Sequence, residues 1–180
     1  MTDEPSPMDR DGLVCDYKHW RNYSDVGSVC FVTTTVQAHT PLFTDRELVG
    51  VLIGDLEFYR AKHGFGLVAF TIMPDHVHLL LWLQGTGSVS KIMGEWKSHT
   101  SKRILEVLRT RGNERELRLF RARGPADSKA ISVWERSFRS YAVLSGAQFR
   151  TKFDYVHTNA VRRGLCAVAC EYPYSSARNY

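Results

Sequence analysis

The sequence predicts a mixed α+β fold of ferredoxin-like plan, with elements in the order β-α-β-β-α-β and a further helix after them. Three observations carry this expectation. Runs rich in β-branched and aromatic residues at Val29–Val36, Phe65–Met73, His76–Leu83 and Ile131–Leu144 have the composition of strands. Apolar residues between those runs recur at helical spacing. Pro74-Asp75 sits between two of the strands with no room for a crossover, so those two must run antiparallel.

Bulk properties narrow the class. A chain of 180 residues with 43% hydrophobic content suggests one domain with a real core. The formal net charge of +5 hides a polarity, because Lys91–Arg163 alone holds 17 Lys/Arg against 7 Asp/Glu, a net of +10. A basic half on a small domain fits a polyanionic partner, most simply nucleic acid, although a solvated basic surface has the same composition. Cys15, Cys30, Cys166 and Cys170 show no Cys-x-x-Cys spacing, which argues against a zinc knuckle. No secretory leader pattern opens the chain. The apolar stretch His76–Ser90, free of Lys, Arg, Asp and Glu, is too short to span a bilayer. A reduced cytoplasmic, nucleoid-associated setting without membrane attachment is the expectation.

Residues 1–28 are polar and patchy and read as an N-terminal arm, with the domain proper at 29–180. Within the arm, Tyr17, His19, Trp20 and Tyr23 alternate with Lys18 and Arg21, a mixture that can stack on unpaired bases and grip a backbone. The same residues could instead strap the arm onto the domain. After the first strand, Thr44-Asp-Arg-Glu47 is a capping box that opens a helix. Its stripe Leu48, Leu52, Leu56 and Tyr59 runs to Gly64. Ser88 or Ser90 starts a second helix with the stripe Val89, Ile92, Met93, Trp96, Ile104 and Val107. Its opposite face carries Lys91, Lys102 and Arg109, which either meet water or follow a phosphate backbone. The charged segment 111–129 reads as an inserted loop. The strand at Ile131–Leu144 leads into Ser145-Gly-Ala-Gln148, a capping box for the last helix, which ends at Gly164.

The chemistry-bearing residues fall on the third strand and the last helix. Side chains alternate along a strand, so Val77, Leu79, Leu81 and Leu83 make one apolar face. His76 and His78 share the other, with backbone positions about 7 Å apart. Two neutral imidazoles on one face can hold a divalent metal, or they can be half-exposed polar residues at a hairpin mouth. On the last helix Phe149, Phe153, Val156 and Ala160 form the buried stripe. Tyr155 and Asn159, at i and i+4, stand beside it with Gln148, Lys152 and Arg162 on the same side. A tyrosine hydroxyl can attack a phosphodiester when the phosphorus is made electrophilic. Two histidines with the Asn159 oxygen would hold such an ion, and Lys152 and Arg162 would balance phosphate charge. The sheet face with the histidines is the one that the first two helices leave open, so the last helix can dock there.

These residues resemble the REP-associated tyrosine transposases, within the single-tyrosine HUH transposases of IS200 type. The matching pieces are His19-Trp20, Phe31-Val-Thr33, Met73-Pro-Asp-His-Val-His-Leu-Leu80, Trp134-Glu-Arg-Ser-Phe138, Asp154-Tyr-Val-His-Thr-Asn159, Val161-Arg-Arg-Gly-Leu165 and Tyr172-Pro-Tyr-Ser-Ser176. The resemblance implies a nuclease and strand transferase that cuts single-stranded DNA near hairpins of REP-like palindromes, working as a monomer or homodimer. It implies Tyr155 as the nucleophile that leaves a 5′-phosphotyrosine and a free 3′-OH. It implies His76 and His78 as the metal pair, Asn159 as the third ligand and Mg²⁺ or Mn²⁺ as the ion. DNA contacts are then expected from Gln148, Lys152, Arg162, Arg163, Lys91, Lys102 and Arg109, and from His19, Trp20 and Arg21 in the arm. Ala160 stands where the family writes proline, which should leave the helix straighter. The segment 111–129 looks longer than the family's. A different class of function, a hairpin-binding protein without turnover, would need none of Tyr155, His76, His78 and Asn159. An RNA-binding ferredoxin-like domain would need an open aromatic sheet face.

Overall fold

A computed structural model describes residues 27–85, 87–122 and 131–180. The arm residues His19, Trp20 and Arg21 lie outside the described residues. Strands β1 (Val29–Thr35), β2 (Gly66–Ile72), β3 (His76–Trp82) and β4 (Arg139–Val143) form one antiparallel sheet in the order β2-β3-β1-β4. Helices α1 (Arg46–His63), α2 (Val89–Thr110), α3 (Glu114–Ala122) and α4 (Gly146–Arg162) complete it. The expected α+β, ferredoxin-like order with a tyrosine helix on the open sheet face is what the chain adopts.

Local signals explain most boundaries. Asp45, one residue later than expected, caps α1: its side chain accepts from the Glu47 and Leu48 amides. Thr44 instead donates to the Pro41 carbonyl. The helix stops where Gly64 turns left-handed at φ 65°. Ser88 caps α2 by accepting from Lys91 N–H, and Ser145 caps α4 by accepting from Gln148 N–H. Gln148 completes a variant of the capping box, because its side-chain oxygen accepts from Leu144 rather than from Ser145.

The core lies between the sheet and the α1/α2 layer. Val77, Leu79 and Leu81 of β3 and Cys30 and Val32 of β1 point into it and meet Leu48, Leu52, Leu56, Ile92, Met93, Trp96 and Ile104. A second, smaller cluster on the opposite sheet face holds Ala69, Leu80 and Val156, with Phe31, Phe149 and Phe153 packed around it. The sheet is therefore covered on both sides, by α1/α2 on one and by α4 on the other.

Two expectations need correction. The segment 111–129 is not simply a loop, since α3 occupies its first half and buries Leu117 and Phe120 completely enough to join the core. The apolar residues were masked by the Glu and Arg around them, but Leu117 and Phe120 are i and i+3 and share a face. Arg111, expected in the loop, is the C-terminal cap of α2 and pairs with Asp45 and Glu47 at the start of α1. The fourth strand is also shorter than expected, because Trp134 leaves the sheet plane to pack against Phe43 and Trp96 at ring separations of 5.4 and 5.3 Å. Its indole N–H donates to Thr100 at 2.9 Å, and only an isolated bridge to Val36 remains of strand pairing there.

Phe120→Ala should lower the unfolding free energy by about 3–5 kcal/mol in a urea titration. A shift under about 0.5 kcal/mol, the usual range for a surface substitution, would mean that α3 is not part of the core.

Candidate active site

The strand register builds the site. In the β1–β3 ladder Thr33 stands opposite His78, and in the β2–β3 ladder Thr71 stands opposite His78 from the other side. All three point to the α4 face. Phe31 stacks on the His78 ring at 5.5 Å, with an interplanar angle of 23°. The two imidazoles converge, with Nε2 of His76 and Nε2 of His78 only 3.2 Å apart. Each Nδ1 is engaged elsewhere: His76 Nδ1 meets Asp75 Oδ1 at 2.6 Å, and His78 Nδ1 meets Thr33 Oγ1 at 2.9 Å. Burial above all, with the nearby Lys152 and Arg163 cations adding to it, holds the His78 imidazole well below its ordinary pKa. His78 is thus neutral in the physiological range.

Helix α4 brings the tyrosine onto this pair. The Tyr155 ring meets His78 edge-on at 5.1 Å and Phe31 edge-on at 5.8 Å. Cations flank it: Arg162 lies 5.3 Å and Lys152 5.9 Å from the ring centroid. Asn159, one turn further on, is buried at 4% exposure, and its side-chain oxygen has no hydrogen-bond partner among the described residues. A buried amide oxygen without a partner is costly, which makes it a ready acceptor or ligand. Arg163 shares a cleft of about 140 Å³ with Met73, Pro74, Asp75, His76 and Leu165.

The seat of α4 is a set of polar clasps to β2. Thr71 donates its hydroxyl proton to the Val156 carbonyl at 2.5 Å. Ser176 accepts from the Phe70 amide at 2.9 Å and meets His157 Nε2 at 2.8 Å. Tyr172 donates to the Ile72 carbonyl at 2.9 Å. Burial, helped by Tyr174 and Cys166, pushes the Tyr172 phenol up to about 12, so it stays protonated as a donor. The Tyr172–Ser176 motif therefore serves to hold the tyrosine helix on the sheet.

Tyr155, His76, His78, Lys152, Arg162 and Arg163 thus come together, with Asn159 on the same helix. Gln148 does not join them, since it binds the Leu144 amide and the Tyr141 hydroxyl at the helix start. Lys91, Lys102 and Arg109 are exposed on α2, in the layer on the opposite face of the sheet from the histidines. Thr33, Asp75, His39 and Phe31 have no expected part in the site's chemistry, although Asp75 lies in the expected turn and Phe31, Thr33 and Asp75 in the matched motifs. Their signal is register, which appears only once strands are paired.

The donor set suits an ion of intermediate softness. Among the described residues no three His, Cys, Asp or Glu side chains gather to hold a metal, so such an ion would rest on the two imidazoles and the orphaned amide oxygen. Both Nε2 atoms face one another and both Nδ1 atoms are tied down, which is how metal-binding histidines are commonly oriented.

Known proteins share the fold and the family of this chain. A protein of Haemophilus influenzae named "Putative REP-associated tyrosine transposase" is 28% identical over 112 residues, which are 62% of this chain and 58% of that one. The alignment therefore spans little more than half the relative's length. A solved structure of a REP-associated tyrosine transposase bound to a REP hairpin has the same fold, with a TM-score of 0.67 over 89% of this chain and 83% of that one, at 17% identity. No helix among the described residues is long and apolar enough to cross a membrane. The model of the family "Transposase IS200 like" matches residues 32–159, from the middle of β1 to Asn159, and shows that the chain belongs to the IS200-like transposases.

Proposed function

We propose that this transposase nicks and rejoins single-stranded DNA beside hairpins, through a covalent 5′-phosphotyrosine on Tyr155, with a divalent ion at His76, His78 and Asn159. The observation that carries the reading is the contact of the Tyr155 ring with His78, whose Nε2 faces that of His76. A nucleophile, a candidate ion-binding pair and cations occupy one small volume.

The residues divide the work. Tyr155 supplies the oxygen that bonds to phosphorus as the bond to the 3′-oxygen breaks; the phenol loses its proton and the departing 3′-oxygen gains one. The phosphodiester is exchanged rather than hydrolysed, so the reverse attack by a 3′-OH can rejoin a strand. Lys152 and Arg162, stacked on the phenol ring, oppose the negative charge that builds on the phosphoryl oxygens. Arg163 faces the cleft beside His76, where a neighbouring phosphate can sit. A bound Mg²⁺ or Mn²⁺ would supply Lewis-acid polarisation of the scissile phosphate. The hairpin partner is inferred from the solved relative, which was bound to a REP hairpin.

Tyr155→Phe keeps the ring contacts with His78 and Phe31 and loses only the hydroxyl. On a denaturing gel with labelled hairpin DNA and Mn²⁺, the covalent adduct should vanish while hairpin affinity changes less than about threefold, under about 1 kcal/mol. An adduct formed by the Phe variant would assign the attack to another residue.

His76→Ala and His78→Ala should each lower cleavage by at least about a hundredfold, within the range for losing one transition-state stabilising group. Wild-type cleavage should stop in excess EDTA and return with Mn²⁺. Unimpaired cleavage by either variant in EDTA would remove the ion from the mechanism.

Hairpin binding should weaken with salt, by about −0.7 log units in affinity per log unit of salt for each single-strand phosphate contacted. Lys152→Ala or Arg163→Ala should each reduce that slope by about one contact. Equal affinity for a footed hairpin, a perfect duplex and an unstructured strand would indicate a non-specific basic surface.

A further inference from the structure

Asp75 joins two histidines from opposite sides. Its Oδ1 lies 2.6 Å from His76 Nδ1, and its Oδ2 lies 2.6 Å from His39 Nδ1. His39 comes from the turn that follows β1, where Ala38 and His39 are both left-handed, at φ 58° and 51°. Consecutive non-glycine residues rarely adopt that conformation unless the surroundings enforce it. Here the Gln37 amide donates to the Val133 carbonyl at 2.8 Å, and the Ala38 amide donates to the Glu135 carboxylate at 3.2 Å. Asp75 is equally fixed: its carbonyl accepts from Val36 and the Pro74 carbonyl accepts from Phe43, at 2.8 and 2.9 Å. The strained turn and the hairpin are thus locked together with His39 aimed at Asp75. Set against a ring nitrogen on either side, the Asp75 carboxylate serves both histidines as an acceptor.

This has a strict consequence for where protons sit. With both rings neutral, His76 must carry its proton on Nδ1, toward the carboxylate, and its Nε2 keeps the lone pair. The two Nε2 atoms are 3.2 Å apart, so one of them must carry a proton, and that falls to His78. His78 Nδ1 is then an acceptor and takes the proton of the Thr33 hydroxyl at 2.9 Å. A shared cation needs lone pairs on both Nε2 atoms. His78 reaches that state by moving its proton to Nδ1, and the Thr33 hydroxyl can rotate to accept what it formerly donated. The hydrogen bond survives with its direction reversed.

We propose, building on the metal-site reading above, that Asp75 steadied by His39 is a positioning residue that locks the His76 tautomer, whereas Thr33 is a reversible partner that lets His78 switch tautomer when an ion enters. One histidine is preset and the other adapts. A carboxylate against both Nδ1 atoms would preset both rings and force two lone pairs together in the ion-free protein. A hydroxyl against both would leave neither ring oriented.

The experiment is long-range ¹H–¹⁵N spectroscopy of the full chain with ¹⁵N-labelled histidine at a pH where both rings are neutral, paired with Mn²⁺ affinity by electron paramagnetic resonance. The ion-free wild type should show His76 as the Nδ1–H tautomer and His78 as the Nε2–H tautomer. Asp75→Ala should release His76 into a tautomer mixture and weaken Mn²⁺ about ten- to a hundredfold, the range for losing such an outer partner. Asp75→Asn, which keeps an acceptor oxygen and the shape, should recover part of both. His39→Ala should shift both readouts in the same direction by a smaller amount. Thr33→Val should leave the His76 tautomer alone but weaken Mn²⁺, and Thr33→Ser should restore it. His76 found as the Nε2–H tautomer in the wild type, or unchanged Mn²⁺ affinity in Asp75→Ala, would overturn the proposal. If the wild type binds no Mn²⁺ while the tautomers stand as stated, the metal site fails and the Asp75 assignment is supported.

Discussion

Every feature of the site depends on β3 being buried from both sides. The strand pairs with β1 on one edge and with β2 on the other. Its odd-numbered residues Val77, Leu79 and Leu81 enter the main core, while His78 and Leu80 face α4. A slip of one residue would drive His78 into an aliphatic core and place Leu79 under the tyrosine. Neither face would tolerate it, because the imidazole would lose Thr33 and the core would lose a fully buried leucine. The hydrophobic requirement on one side therefore fixes the position of chemistry on the other. No interaction between the histidines is needed to establish the register.

Most of this logic is legible before any coordinates. The alternation in His76–Leu83 assigns faces, the helix caps lie within a residue of their positions, and the stripe around Tyr155 predicts that α4 packs with that residue beside its buried face. What could not be read is what depends on pairing. Thr33 and His78 are 45 positions apart, and His39 and Asp75 are 36 apart; only the paired strands and the β1 exit turn bring them together. Phe120 was hidden for a different reason. Its neighbours are charged, and a helix of nine residues carries too few apolar positions to stand out from a loop. Gln148 shows the converse difficulty, since a polar residue on the expected face turned out to be occupied by its own helix start.

Charge is arranged in two separate places. Lys152, Arg162 and Arg163 surround the tyrosine and the histidines. Lys91, Lys102 and Arg109 sit exposed on the far helical layer. Among the described residues, these basic side chains thus fall on two faces of the molecule rather than one. A sequence-level net charge reports that a polyanion is favoured, but it does not report how many surfaces share the task.

The clasps that hold α4 have a consequence in time as well as in space. Ser176 reaches Phe70 across 106 positions, and Tyr180 reaches Val68 across 112. Contacts of that separation close late, because the chain must pay for a long loop before gaining them. Among the described residues, the fully buried side chains of the α1/α2 face all lie at or before Trp134, so that face can condense while the tyrosine helix is still undocked. During synthesis from the N-terminus, the core would stand complete before Tyr155 is brought to the histidines. The order of assembly is then scaffold first and reactive centre last, set by nothing more than where along the chain the fastening residues were written.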